Sequence, residues 1–356
     1  MKVVSMNIYD VAKEAGVSPA TVSRVLNESK SVKKETREKV LSVIKGKNYV
    51  PNVLARNLSS GECRNIAFVV PDIENPFFGK ILHGITDKAR DRNYNIFMFG
   101  TDEDPKKELQ VLNSLKTEMI KGLIVIPVSE YNRETELRLS RFEKQNVPVV
   151  LVDRDIMGAE FDGVFSEDAE GVYEAMDLLI KEGHKNIAII AGFETSRPGY
   201  ERLKGYKKAL EDNGIELNPA YIVNGKFREE ESYRAMKALM EMENPPTAIF
   251  ASNNLATLGC LRYMKERGLK LGRDISLIGF DDIKELEYAG LNLTVVTRPV
   301  YEMGCEAMEL LESRFQGRDS GNAAHKAIIR RNYAKTWLIK RGSEKYIKSR
   351  EKKGNE

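Results

Sequence analysis

Eight short apolar runs, separated by helix-length stretches, constrain this 356-residue chain more than any other feature. Four come early: "NIAFVVP" (65–71), "NIFMFG" (95–100), "GLIVIP" (122–127) and "VPVVLVD" (147–153). Four more follow: "NIAIIAG" (186–192), "YIVNGKF" (221–227), "TAIFAS" (247–252) and "DISLIGF" (274–280). Runs this short and rich in β-branched residues read as strands buried on both faces, which means parallel sheets with helical crossovers. Four plus four predicts an α/β core of two similar, doubly wound parallel-sheet subdomains. Neither series holds G-x-G-x-x-G or a Walker sequence, so no nucleotide cofactor is expected, nor any other cofactor.

Open α/β sheets bind ligands beyond the carboxyl ends of their strands. In the first series those positions hold Asp72, then Phe77 and Phe78 in "ENPFFGKI", and Asp153. In the second they hold Arg202, Phe227, Asn253 and Asp281. Carboxylates, an amide, a guanidinium and aromatic faces together suit a hydroxyl-rich ligand, the polar groups for its OH groups and the rings for its apolar face. Taken singly, each has a plainer reading: Asp153 and Asp281 as turn caps, Phe77 and Phe78 as core, Arg202 as a surface cation. No Ser/His/Asp or Cys/His arrangement appears, so no catalytic residue is assigned. Cys63, Cys260 and Cys305 are too scattered for disulfides or a zinc cluster, as are His83, His184 and His325 for a metal site, and no metal is expected.

Ahead of the core lies a different pattern. Ile8, Val11, Ala12 and Ala15 recur at helical spacing, and Gly16 ends that helix. Ser18 then caps a second helix with Pro19 in its first position, and Val22, Val25 and Leu26 form its inner stripe. A third helix is predicted from Lys34 to Lys47, with Val40, Leu41 and Ile44 inward. The set reads as a three-helix helix-turn-helix; the other reading is a small helical bundle with a polar surface. The outward face of the second helix has small side chains that admit it deep into a major groove. Hydroxyls of Ser18, Thr21 and Ser23 would meet phosphates, Arg24 a guanine edge and Ala20 a thymine methyl. "YVPNVLARNLSSGE" then offers about two helical turns, too few to stand alone in water. It reads either as a linker with a buried leucine or as a hinge helix that folds on DNA with Leu58 wedged into the minor groove.

Charge follows the same division. Residues 1–60 carry 11 Lys/Arg and 5 Asp/Glu, a net of +6, and residues 340–356 carry 7 and 3, a net of +4. The whole chain is +3, which leaves −7 for residues 61–339. A basic head on an acidic body suggests that the head alone meets a polyanion. No apolar run approaches the ~20 residues of a membrane span, and "MKVVSMNIYD" has no long apolar region before a cleavage site. No membrane association is expected, and a cytoplasmic location is.

"IYDVAKEAGVSPATVSRVLNES", "VKKETREKVLSVI" and "NYVPNVLARNLSSG" resemble, almost continuously over residues 7–61, the DNA-binding head of the lactose-repressor (LacI) family. The resemblance implies phosphate contacts from Tyr9, Ser18, Thr21, Asn27, Thr36 and Asn52. It also implies base reading by Ala20 and Arg24, and a hinge helix with Ala55 and the minor-groove lever Leu58. "KGKNY" departs from the family's Leu-Gly before the tyrosine. More loosely, "VVLVDR", "ERLKGY", "FASNNLATLG", "GFDDI", "LTVVTRPVYEMG" and "NYAKTWLIKRGS" resemble the periplasmic-binding-protein-like core such repressors use as a sensor. By matching position Asp72, Phe77, Phe78, Asp153, Arg202, Phe227, Asn253, Asp281 and Arg298 would line its effector cleft. Asn254 stands where the family usually has Asp.

The implied organisation is a helix-turn-helix over 1–49, a hinge over 50–61, and a first core subdomain of 62–161 with 291–322. A second subdomain would comprise 162–290 with 323–342, three crossovers would form the hinge between the two, and a charged tail over 343–356 is expected to be disordered. The implied function is a repressor that binds a pseudo-palindromic double-stranded DNA operator as a homodimer and answers to a small effector, expected to be a sugar. The tail has one aliphatic residue, Ile347, and no leucine heptad, so a dimer is favoured over a tetramer. Two alternatives stay open: a global carbon regulator controlled by a phosphorylated carrier protein, and purine-type corepressor sensing.

Overall fold

The computed structural model describes residues 7–26, 31–47, 63–319 and 328–345. The chain divides into two compact units, at Cys63 and Arg64. In the first, α1 (Ile8–Ala15) starts on a reciprocal cap: the Asn7 side chain accepts from the Asp10 N–H, and Asp10 accepts from the Asn7 N–H at 2.9 Å. Gly16 ends it at φ +63°, a left-handed conformation that costs glycine nothing, and Val17 N–H closes on the Ala12 carbonyl at 2.9 Å. α2 (Pro19–Leu26) and α3 (Lys34–Gly46) complete a bundle around Val11, Ala12, Ala15, Val22, Val25 and Val40. One expectation fails here. The inward row of α3 is Val40, Val43 and Ile44, and Leu41, one step further round the helix, is 46% exposed.

The second unit contains two six-stranded sheets. The first has the order β11-β5-β4-β3-β1-β2, all parallel. Its strands are β1 (Asn65–Val70), β2 (Asn95–Gly100), β3 (Gly122–Val125), β4 (Val149–Val152), β5 (Asp162–Ser166) and β11 (Arg331–Ala334). The second sheet, β12-β10-β9-β8-β6-β7, comprises β6 (Ile187–Ala191), β7 (Ile222–Asn224), β8 (Ala248–Ala251), β9 (Ser276–Phe280), β10 (Thr294–Thr297) and β12 (Trp337–Ile339). Only the β10–β12 pair is antiparallel among the described strands.

Both faces of the central strands of each sheet are covered, which is why those strands read as continuous apolar runs. Along β1, Ile66, Phe68 and Val70 join a core with α4 (Pro76–Arg90) and α12 (Val300–Asp319). Ala67 and Val69 point the other way, toward Leu112 of α5 (Pro105–Ser114) and Leu139 and Phe142 of α6 (Arg133–Lys144). The second sheet is covered alike, by α7 (Asp168–Lys181) and α8 (Arg197–Asp212) on one face, and by α9 (Glu229–Met240) and α10 (Asn254–Glu266) on the other. A short α11 (Lys284–Tyr288) follows β9.

Sheet membership corrects the expected boundaries. β5 belongs to the first sheet, with Val150 opposite Asp162, so the first crossover comes after Ser166 and not before Asp162. β10 belongs to the second sheet, so the return crossing lies between Thr297 and Val300 rather than at 290. β11 is in the first sheet and β12 in the second, which puts the third crossing after Ala334 rather than at 322. The fold also reaches past 342. Ser343 and Glu344 are buried, and Ser343 Oγ donates to the Leu277 carbonyl at 2.6 Å while accepting from Thr294 N–H at 2.8 Å. Pairing partners far along the chain decided these edges, and a linear apolar pattern carries no information about them.

Candidate functional site

On the head, the α2 face carries the expected residues outward. Ser18, Ala20 and Arg24 are exposed, and Thr21 and Ser23 are half-buried. Ser18 Oγ accepts the Thr21 N–H at 3.2 Å and lies 2.9 Å from the Thr21 hydroxyl, so the cap also pins the first polar turn. Tyr9, on α1, is 69% exposed, and Thr36, in the first turn of α3, is half-buried. Asn27, Asn52, Ala55 and Leu58 lie outside the described residues.

In the core, the carboxyl ends of the two sheets face a shared cleft of about 430 Å³, counted with its open mouth. Asp72, Phe77, Phe78, Arg202, Phe227, Asn253, Asp281 and Arg298 all line it. Asp153 does not; it sits beside the cleft and holds one of its walls. Two equivalent positions build the floor. Asp153 follows β4 at φ +63° and Asp281 follows β9 at φ +67°. Each donates its N–H at 2.8 Å, to the Val164 and Val296 carbonyls respectively. Both carboxylates then converge on Arg298, which donates Nη1 to Asp153 at 2.6 Å and Nε to Asp281 at 3.1 Å. Burial disfavours the Arg298 charge, but Asp281, Asp153 and Asp168 outweigh it and hold its pKa above the ordinary arginine range.

Arg202, on α8, is 2% exposed. Its Nε donates to Asp168 at 2.8 Å, Nη1 donates to the Ser252 carbonyl at 2.5 Å, and the guanidinium lies 3.6 Å from the Phe280 ring centroid. Burial pulls its pKa down, against the opposing pull of Asp168. Asp168 is also buried, which would raise its carboxyl, yet Arg202 and Arg298 bring it below the usual range. Arg202 Nη2 is buried with no hydrogen-bond partner among the described residues. Phe77 and Phe78 meet edge to face at 5.1 Å, and Phe77 stacks under Arg298 at 4.4 Å.

Asn253 spends its side chain on the fold: Oδ1 caps α10 through Ala256 N–H at 2.7 Å, and Nδ2 donates to the Phe227 carbonyl at 3.2 Å. The next residue is freer. Asn254 Nδ2 donates across the cleft to Asn75 Oδ1 at 2.8 Å, while Asn254 Oδ1 is buried without a partner among the described residues.

Sequence reasoning missed Asn75, Glu103, Arg154 and Arg228 as lining residues. The strand-end rule that found Asp72 would also have reached Glu103, just beyond β2, and Arg228, just beyond β7. Those ends are built alike: Asp102 and Glu103 both have φ +55°, and Lys226 and Phe227 have φ +53° and +55°. Consecutive left-handed residues without glycine are uncommon and gather at functional sites. The two loops meet across the mouth, where Arg228 donates to Asp102 Oδ1 at 3.1 Å and to its carbonyl at 2.9 Å.

A helix-turn-helix unit ahead of a two-sheet cleft lined with paired charges and aromatic rings defines a DNA-binding transcription regulator with a periplasmic-binding-protein-like core. Residues 7–52 match bacterial regulatory proteins of the lacI family, and residues 176–343 match the periplasmic binding protein-like domain. Catabolite control protein A of Priestia megaterium is 36% identical over 309 residues, covering 86% of this chain and 92% of that protein. The chain belongs to the lacI family of bacterial regulatory proteins, and it is a regulator of transcription rather than an enzyme. Among solved structures, the transcriptional regulator CelR in complex with cellobiose is 27% identical at a TM-score of 0.70, covering 95% of this chain and 99% of that one. The lac repressor dimer bound to operator and an anti-inducer shares the fold at a TM-score of 0.78 and 24% identity, covering 96% and 99%. No helix among the described residues is long and apolar enough to cross a membrane.

Proposed function

We propose that the chain is a cytoplasmic repressor that binds a pseudo-palindromic operator as a homodimer and changes its operator affinity when a small sugar occupies the core cleft. The observation that carries this reading is the convergence of both sheets' strand ends on one cleft, with the Arg202 guanidinium buried in its wall and one N–H group unpartnered. In this reading Ala20 and Arg24 read bases. Tyr9, Ser18, Thr21, Ser23, Thr36, Asn27 and Asn52 hold the backbone, and Ala55 and Leu58 serve the hinge. Asp72, Phe77, Phe78, Arg202, Phe227, Asn253, Asp281 and Arg298 form the effector site, and Asp153 holds Arg298 from beside it. The sugar class draws support from the mixture of donors, acceptors and ring faces, and from the cellobiose held by a similar regulator.

Control follows from linkage. A ligand that touches both walls favours the closed core, and the cross-cleft bonds Asn254–Asn75 and Arg228–Asp102 exist only while the walls are near. A coupling of about 1–3 kcal/mol is enough for regulation. The test is operator binding with and without a sugar panel, for the native protein and Arg202→Ala. The variant should bind operator normally and lose the effector response. An unchanged response would remove the cleft from the account.

A further inference from the structure

We infer that the cleft is a charge filter: the Glu103–Arg154 pair makes it accept an uncharged polyhydroxyl ligand and reject phosphorylated sugars and sugar acids. The inference rests on the sugar-effector reading and narrows it.

Arg154 is 3% exposed and receives Glu103 bidentately, Nη1 to Oε2 at 2.8 Å and Nη2 to Oε1 at 2.7 Å. The paired guanidinium lies 5.7 Å from the ring centroid of Phe227, on the opposite wall. Every other guanidinium of the cleft is also ion-paired. Arg202 has Asp168, Arg228 has Asp102, and Arg298 has both Asp153 and Asp281. Lys107 binds Asp102 as well, from the exposed side. Asp72 adds one more carboxylate to the lining. Every guanidinium that lines the cleft is thus ion-paired, and its charge is already answered by Glu103 and Asp281 in the lining or by Asp102, Asp153 and Asp168 behind it.

A phosphate or carboxylate entering this space would lose its water and meet charges already neutralised or of its own sign, where repulsion is poorly screened. The buried polar atoms without a hydrogen-bond partner among the described residues ask for something else. Arg202 Nη2 and Arg154 Nε are donors, and Asn254 Oδ1 is an acceptor. A hydroxyl group satisfies either kind, whereas an anionic oxygen only accepts and leaves Asn254 Oδ1 unmet.

The experiment is calorimetric titration of the full-length protein with common neutral pentoses, hexoses and disaccharides, each beside its phosphate ester and its onic acid. At least one neutral sugar should bind, with its charged counterparts at least 100-fold weaker. Glu103→Gln unpairs Arg154, and the gap should narrow at least tenfold. Asp102→Asn, at the exposed mouth, removes one negative charge without emptying a buried pair and should narrow it several-fold even if the first variant fails to fold. A phosphate ester or onic acid that binds the native protein more tightly than its parent overturns the inference and leaves the sugar reading standing. A gap unchanged in both variants overturns it as well. Binding of nothing in this panel, with or without binding of purine bases titrated alongside it, overturns the sugar reading and the filter with it.

Discussion

Asp153 and Asp281 show how much two residues can settle. Both are the first residue after a strand of their sheet, both are left-handed, and both are claimed by one arginine that neither sheet's main run contains. Removing either would strand a buried charge, so this floor is a fixed element and the walls supply the variable contacts. Glu130 is different. It lies before α6 and donates its N–H at 2.8 Å to the Thr195 carbonyl of the other subdomain. Burial, reinforced by Asp155 and Glu201 and opposed by Arg197 and Arg331, lifts its carboxyl from the ordinary value to about 7. The folded protein then holds a proton that the unfolded chain releases near pH 4.5, so stability falls as pH rises between those values and stays lost above 7. The melting temperature of the native protein should drop more between pH 5 and pH 8 than that of Glu130→Gln. Parallel profiles for the two would show that Glu130 titrates normally.

Among the elements, the crossing of α4 and α12 depends most on individual residues. A Cβ on Gly304 would lie 2.2 Å from the Ile81 carbonyl oxygen, and one on Gly84 would lie 2.1 Å from that of Tyr301. Both clashes are with backbone, so neither can be relieved by a rotamer. Gly304→Ala should cost about 1–3 kcal/mol as the helices are forced apart. Gly79→Ala, in the same α4 but with nothing within 4 Å, should be neutral or stabilising by about 0.5–1 kcal/mol, the helix preference of alanine. Equal denaturation midpoints for the two variants would refute the close crossing. The same scale shows what periodicity could and could not find. All eight apolar runs contain strands; six are covered on both faces, and β2 and β7, at sheet edges, are apolar though only partly buried. β5, β10, β11 and β12 are not among those runs: "DGVFS" is short and polar at its start, "TVVT" has four residues with threonine at both ends, and "RNYA" and "WLI" lie at sheet edges and are only partly buried. Asp162 can begin a buried strand because Arg314 donates to both its carboxylate oxygens at 2.5 Å, and a window of five residues cannot reveal that partner.

For the molecule as a whole, the proposed pair of heads sets what solution measurements should show. Sedimentation at micromolar concentration should give twice the 40.3 kDa of one chain, and operators with two half-sites should bind far better than those with one. A species that stays monomeric with and without operator would rule out the dimer. Local signals were sufficient for the three helices of the head, for eight of the strands and for half of the residues at the cleft, while Arg298 entered only through the family resemblance. Caps, glycine turns and apolar periods act over a few residues, and strand ends sit where a parallel sheet must put them. Only the tertiary structure decided which sheet receives each short strand near the crossovers, and which charges in the cleft are already spent. Arg298 and Asp153 are 145 residues apart, and Arg154 and Glu103 are 51. The strength of such a pair depends on distance and burial in space, and separation along the chain carries neither.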